Sequence, residues 1–104
     1  MKPLIHFAHA NGVPSKVYQK LFDGLQDDYD IIYVPLLGPD KRYPVDNHWK
    51  SLTQQVIDSI VRQSKGRPVI GLGHSLGSVL TFQATLQRPE LFLQMIMLDP
   101  PMIM

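Results

Sequence analysis

The segment Gly73-His74-Ser75-Leu76-Gly77 sets a serine between two glycines, each two positions away. That spacing suits a hydroxyl that attacks a carbonyl. Small flanking residues let a chain turn so sharply from strand to helix that the serine is held in a strained conformation with its hydroxyl exposed. A serine that opens a helix also has unpaired peptide N–H groups ahead of it, so the N–H of Leu76 stands where a developing oxyanion would form. The competing account of so short a pattern is an ordinary turn with an incidental serine; a strand before it and a helix after it weigh against that.

A second segment, His9-Ala10-Asn11-Gly12, offers a partner for Leu76. A small residue followed by a polar one lets a backbone N–H, that of Asn11, approach the same carbonyl oxygen. Asn11-Gly12 is equally a turn pair, with His9 packing or hydrogen-bonding locally. Both readings stay open from these residues alone. A third feature is Asp99, which ends the last apolar run. From these residues it reads as the start of a loop, making local hydrogen bonds with the backbone.

A serine nucleophile needs an imidazole within hydrogen-bond reach to take its proton. The sequence has four histidines, and all precede Ser75. His74 adjoins it, but neighbours on a sharp turn point in different directions. His6 lies in an apolar run where a paired core histidine is expected, His9 belongs to the Asn11 segment, and His48 stands at a helix start. The base is therefore expected from outside these residues: a longer native chain, a second polypeptide, or a segment exchanged in an oligomer. Asp40, Lys41 and Arg42 form a charged loop between prolines, read as solvated, with Arg42 the one able to meet an acidic substrate group.

The elements that must position these groups follow from periodicity. Leu4 to Ala8, Asp30 to Val34, Val69 to Gly73 and Gln94 to Leu98 are short apolar runs with little alternation, as expected for strands covered on both faces. Between them, Ser15 caps a helix with Val17, Leu21, Phe22 and Leu25 on one face. A second helix, opened by Asp46 or Asn47, turns Trp49, Leu52, Val56, Ile57, Ile60 and Val61 inward and leaves Lys50, Gln54, Asp58 and Arg62 to water. Gly66 and Pro68 stop it. A third runs from about Ser75 to Gln87, with Leu76, Val79, Leu80, Ala84 and Leu86 as its apolar residues, and Pro89 closes it. Strands alternating with helices predict an α/β fold: a parallel sheet of about four strands with helices on both faces. Ligands of such sheets bind at the carboxyl ends of the strands, where Asn11, Ser75 and Asp99 all fall.

Composition sets the outer limits. The chain of 104 residues is one domain's length, with 44% hydrophobic and 18% charged residues, which argues against disorder. A formal charge of +1, with no basic stripe, argues against nucleic-acid binding. There is no cysteine to pair, to hold zinc or to attack, and no cofactor or metal site is expected. The start lacks the apolar core of a signal peptide and no run reaches membrane-spanning length, so a cytoplasmic location is expected.

With these residues in view, the chain resembles the α/β-hydrolase superfamily from its first strand to its last residue. His9-Ala10-Asn11 is similar to that family's His-Gly-x oxyanion segment, and Gly73-His74-Ser75-Leu76-Gly77 to its nucleophile elbow. Ala10 stands where glycine is usual, and Ser78 replaces a frequent second glycine, a change that would tighten helix packing. The resemblance implies a partial α/β-hydrolase fold, with residues 1–104 as the N-terminal portion of the core. It implies a serine hydrolase acting on a carboxylic ester or thioester through an acyl-enzyme at Ser75. The small-molecule acyl substrate would be held by the N–H groups of Asn11 and Leu76. The family takes its acid and histidine from strands after the elbow, of which only one follows here; some members place their acid where Asp99 stands, so the resemblance makes Asp99 a candidate for the acid that orients the imidazole. The alternative is a non-catalytic module that associates through the open edge of its last strand, with a second copy or a complementary chain.

Overall fold

The computed structural model describes residues 2–9, 18–34 and 50–98. In chain order they form β1 (Leu4–Ala8), α1 (Gln19–Leu25), β2 (Asp30–Tyr33), α2 (Lys50–Ser64), β3 (Val69–His74), α3 (Leu76–Gln87) and β4 (Phe92–Leu98), with a short 3-10 turn at Pro89–Leu91. The strands make one parallel sheet in the order β2-β1-β3-β4. Sheet, helices and crossovers match the fold class read from periodicity.

Alternation along β1 sorts the two faces, because successive side chains of a strand point to opposite sides. Leu4 and Ala8 join Leu52, Val56, Ile57 and Ile60 of α2 and Leu80 and Ala84 of α3 in one core. Ile5 and Phe7 join Phe22 of α1 and Leu72 of β3 in the other. Helices therefore cover both faces, α2 and α3 on one and α1 on the opposite. Phe7 is fully buried and meets Phe22 edge-on at 5.3 Å. Burial of such a ring is worth about 1.5–3 kcal/mol, the scale of contribution that seats α1 despite its two turns.

α2 ends where Lys65 (φ 53°) and Gly66 (φ 87°) enter the left-handed region, a stop that favours glycine because no Cβ crowds the carbonyl. Val61, expected to face the core, is 50% exposed, and the apolar Leu86 of α3 is 66% exposed. The inward face of α2 also includes polar residues. Thr53 Oγ1 donates to Gln83 Oε1 of α3 at 2.6 Å, and Ser59 meets His6 of β1, so paired polar groups share the inward face with Leu52, Val56, Ile57 and Ile60.

Burial on both faces holds for β1 and for much of β3, but not for β2 and β4, which lie at the sheet edges and are half exposed. The two edges differ. On β2, Arg67 pairs with Asp30 at 3.4 Å, and Gln63 Nε2 donates to the carbonyl of Tyr33 at 3.0 Å. β4 has neither charge nor proline, and Leu93, Ile96, Met97 and Leu98 on it are exposed.

Candidate active site

Three elements meet at Ser75. β3 ends at His74, α3 begins at Leu76, and Ser75 between them has φ 55° and ψ −117°. Apart from Lys65, it is the one described non-glycine residue with positive φ. Such a conformation costs about 1–3 kcal/mol and survives only where its surroundings over-determine it. Here they do. Ser75 N–H donates to the carbonyl of Leu98 at 3.0 Å, and Ser75 O accepts from the N–H groups of Ser78 at 2.9 Å and Val79 at 3.4 Å. The buried Ser78 hydroxyl donates to the carbonyl of Gly73 at 2.7 Å, with that of Leu98 3.2 Å away. The residue in place of a second glycine thus clasps the elbow to β4.

The elbow's glycines are required by space. A Cβ on Gly73 would lie 2.5 Å from the carbonyl oxygen of Gly77, and one on Gly77 would be driven into the carbonyl of Ala8. The same Cβ would be 2.7 Å from the carbonyl oxygen of His9, so the first turn of α3 rests directly on the end of β1. His9 is the last described residue before Ala10 and Asn11; Asn11, like Asp99, lies outside the described residues. Leu76, the other expected oxyanion donor, is the first residue of α3, and its half-buried side chain packs against the α2–α3 core. N–H groups in a first helical turn have no intrahelical acceptor, which leaves that of Leu76 directed out of the helix end.

The described histidines are engaged elsewhere. His74 Nδ1 lies 2.8 Å from Tyr18 Oη, and the two rings meet edge-on at 5.6 Å. Tyr18 also packs on Phe7 at 4.6 Å, which places His74 on the α1 face of the sheet. His6 is fully buried, with Nε2 2.9 Å from Ser59 Oγ. Burial, and secondarily the Arg62 charge, push its pKa down to about 3, so it is a neutral core group. Gln63 Nε2 donates to Ser59 Oγ at 2.8 Å, so the hydroxyl that meets His6 is itself held from within α2. His9 is fully buried. His48, with Asp40, Lys41 and Arg42, lies outside the described residues. No helix of the described residues is long and apolar enough to cross a membrane.

The Tyr18–His74 and His6–Ser59–Gln63 links escaped sequence reasoning. Each joins residues far apart in the chain, and no periodicity signals such pairs.

A serine in the left-handed region at a strand-to-helix turn, on a parallel sheet covered by helices on both faces, defines an α/β-hydrolase fold. More narrowly, the chain belongs to the Thioesterase domain family, whose model matches residues 2–99. Curated relatives include two type I acyl-CoA thioesterases of Penicillium brevicompactum, mpaH and mpaH′. Each is 23% identical over 107 residues, covering 88% of this chain and 25% of the relative. Similar solved structures include a hydrolase from Thermoplasma acidophilum described as CIB-like, with TM-score 0.78 and 19% identity, covering 94% of this chain and 51% of that one. The thioesterase domain from the curacin biosynthetic pathway has TM-score 0.77 and 18% identity, covering 96% of this chain and 38% of that one. The chain thus spans a quarter of the length of the curated relatives it matches and about half, or less, of these solved chains.

Proposed function

We propose that the protein is a serine hydrolase of carboxylic esters or thioesters, with Ser75 as nucleophile. The observation that carries this reading is the backbone of Ser75, held at φ 55° on the turn between β3 and α3. Ser75 Oγ attacks the acyl carbonyl and passes its proton to an imidazole. The N–H groups of Leu76 and Asn11 hold the resulting oxyanion. The tetrahedral species collapses to an acyl-serine as the alcohol or thiol leaves with that proton, and water then releases the acid. Membership of the Thioesterase domain family favours a thiol leaving group.

Asp99 is the proposed acid. It follows Leu98, whose carbonyl receives the N–H of Ser75, so the chain enters Asp99 from a point fixed to the nucleophile. The proposed imidazole comes from outside these 104 residues: among the described histidines His6 is buried and neutral, His9 is buried, and His74 is bonded to Tyr18. Residues 1–104 are then the nucleophile-bearing, N-terminal portion of a hydrolase core.

Fluorophosphonate labelling, read by peptide mass, tests the nucleophile. With free imidazole added as base, the adduct is expected on Ser75 and lost in Ser75→Ala; equal labelling of that variant overturns the reading. Without imidazole, the chain is expected to turn over p-nitrophenyl acetate very weakly. A robust rate abolished by replacing one of its own histidines would sink the external base.

The bare apolar edge of β4 favours a second reading, in which the chain associates through that strand with a second copy or a complementary chain.

A further inference from the structure

We infer that Tyr18 is a positioning residue for the Ser75 site, acting through His74. The inference rests on the reading of Ser75 as nucleophile and adds a residue that neither the elbow pattern nor the oxyanion segment contains.

Tyr18 and His74 are 56 positions apart, yet their side chains meet at 2.8 Å between Oη and Nδ1. His74 is joined by one peptide bond to the strained Ser75. Tyr18 is the N-cap residue of α1 and the first described residue after the segment 10–17, which carries Asn11. One hydrogen bond therefore ties the chain returning from the Asn11 segment to the residue that fixes the direction of the elbow. On the opposite side, the elbow is already held by Ser78 and Leu98. The first turn of α3 also rests on the end of β1 through Gly77, and the Tyr18–His74 bond adds a side-chain anchor on the residue immediately before Ser75.

Packing does not account for the hydroxyl. The Tyr18 ring lies on Phe7 at 4.6 Å, among Ile5, Phe22 and Leu72, where phenylalanine would fill the same space. Nor is His74 needed to cover that face, because a leucine there would be the more favourable apolar group. A tyrosine hydroxyl and an imidazole placed together on an apolar face cost desolvation unless they bond to each other, and these do. The pair consequently has a defined geometry, which two apolar side chains would lack.

The test is the kinetics of fluorophosphonate labelling at Ser75 in the 104-residue chain with added imidazole. Tyr18→Phe is expected to lower the maximal labelling rate about tenfold, with the probe concentration for half-maximal rate unchanged, because misplacement of a reacting group acts on the chemical step. His74→Leu should do the same, while His74→Gln, which keeps an acceptor for the hydroxyl, should restore most of the rate. The double variant Tyr18→Phe/His74→Leu should be no slower than either single one, since both remove the same bond. A merely structural role would lower thermal stability and leave the maximal rate of the folded fraction intact. A wild-type rate in Tyr18→Phe, or additive losses in the double variant, overturns the inference and leaves Ser75 standing. Absence of any Ser75 adduct in the wild-type chain overturns both. If Tyr18→Phe fails to fold, the contrast between His74→Gln and His74→Leu decides, with equal rates counting against the bond.

Discussion

The amide of Ser75 donates to the carbonyl of Leu98 across 3.0 Å, so the carboxyl end of β4 is fastened to the most strained backbone in the sheet. Ser78 reinforces the fastening from inside the first turn of α3, its hydroxyl 2.7 Å from Gly73 O and 3.2 Å from Leu98 O. Removing that hydroxyl leaves two carbonyls with one donor fewer in a buried place. Ser78→Ala is expected to cost about 1–2 kcal/mol, read as a lower urea midpoint with an unchanged slope. A neutral result would mean that water or backbone donors replace the clasp.

Two glycine substitutions should differ in sign. Gly77→Ala drives a methyl into the carbonyl of Ala8 and forces α3 away from β1, whereas Gly24→Ala in α1 meets nothing within 4 Å. The first is expected to cost about 3 kcal/mol or more, in the range of an overpacked core. The second should gain about 0.5–1 kcal/mol by restricting the unfolded chain and favouring helix. Thermal melts of the two variants beside the wild type check both.

Acid should weaken the fold through His6. Its folded pKa of about 3 lies below the unfolded value of 6.5, so between these values the unfolded chain binds a proton that the folded chain refuses. This contribution is fully present above pH 6.5 and is lost as pH falls towards 3, with a limiting slope of about 1.4 kcal/mol per pH unit. His6→Leu should flatten stability between pH 6.5 and 4.5 relative to the wild type, measured by urea unfolding at each pH. Parallel curves for the two proteins would exclude His6 as the acid-sensitive group.

The open edge makes a prediction about assembly. Leu93 and Ile96 are 66% and 39% exposed on a strand without charge. Sedimentation at high protein concentration should find association in the wild type, and Leu93→Lys/Ile96→Lys should shift the chain to monomer, since lysine on an edge strand opposes pairing. A wild-type chain that sediments as monomer throughout would count against the edge as an interface.

How much of this was legible in the sequence depended on the range of the signal. The bounds of β1 were read to the residue, and β3 and α3 within one, because an apolar strand and a glycine-flanked serine announce themselves locally. β4 proved to start two residues earlier, at Phe92, because the bulge opposite Val69 and Ile70 breaks the pattern there. Sheet order is not written in any window, so β2 was read as a covered strand when it is an edge, whereas β4 lies at the edge expected of the last strand. Ser59 and Thr53 had no assigned place on α2, because their partners, His6 and Gln83, lie on other elements. At the site, Ser75 and Leu76 occupy the turn their pattern required, while Asn11 and Asp99 fall outside the described residues. The Tyr18–His74 bond had no local signature at all.

In the proposed association through β4, the unequal edges would limit the size of the assembly. On β2, Gln63 occupies the backbone carbonyl of Tyr33 and the Arg67–Asp30 pair places charge at the strand's start, while the exposed side chains of β4 carry no charge. Two copies meeting β4 to β4 about a twofold axis would present only β2 strands at their outer margins. The product would be a closed pair whose outer margins carry the Arg67–Asp30 charges that oppose addition of a further strand.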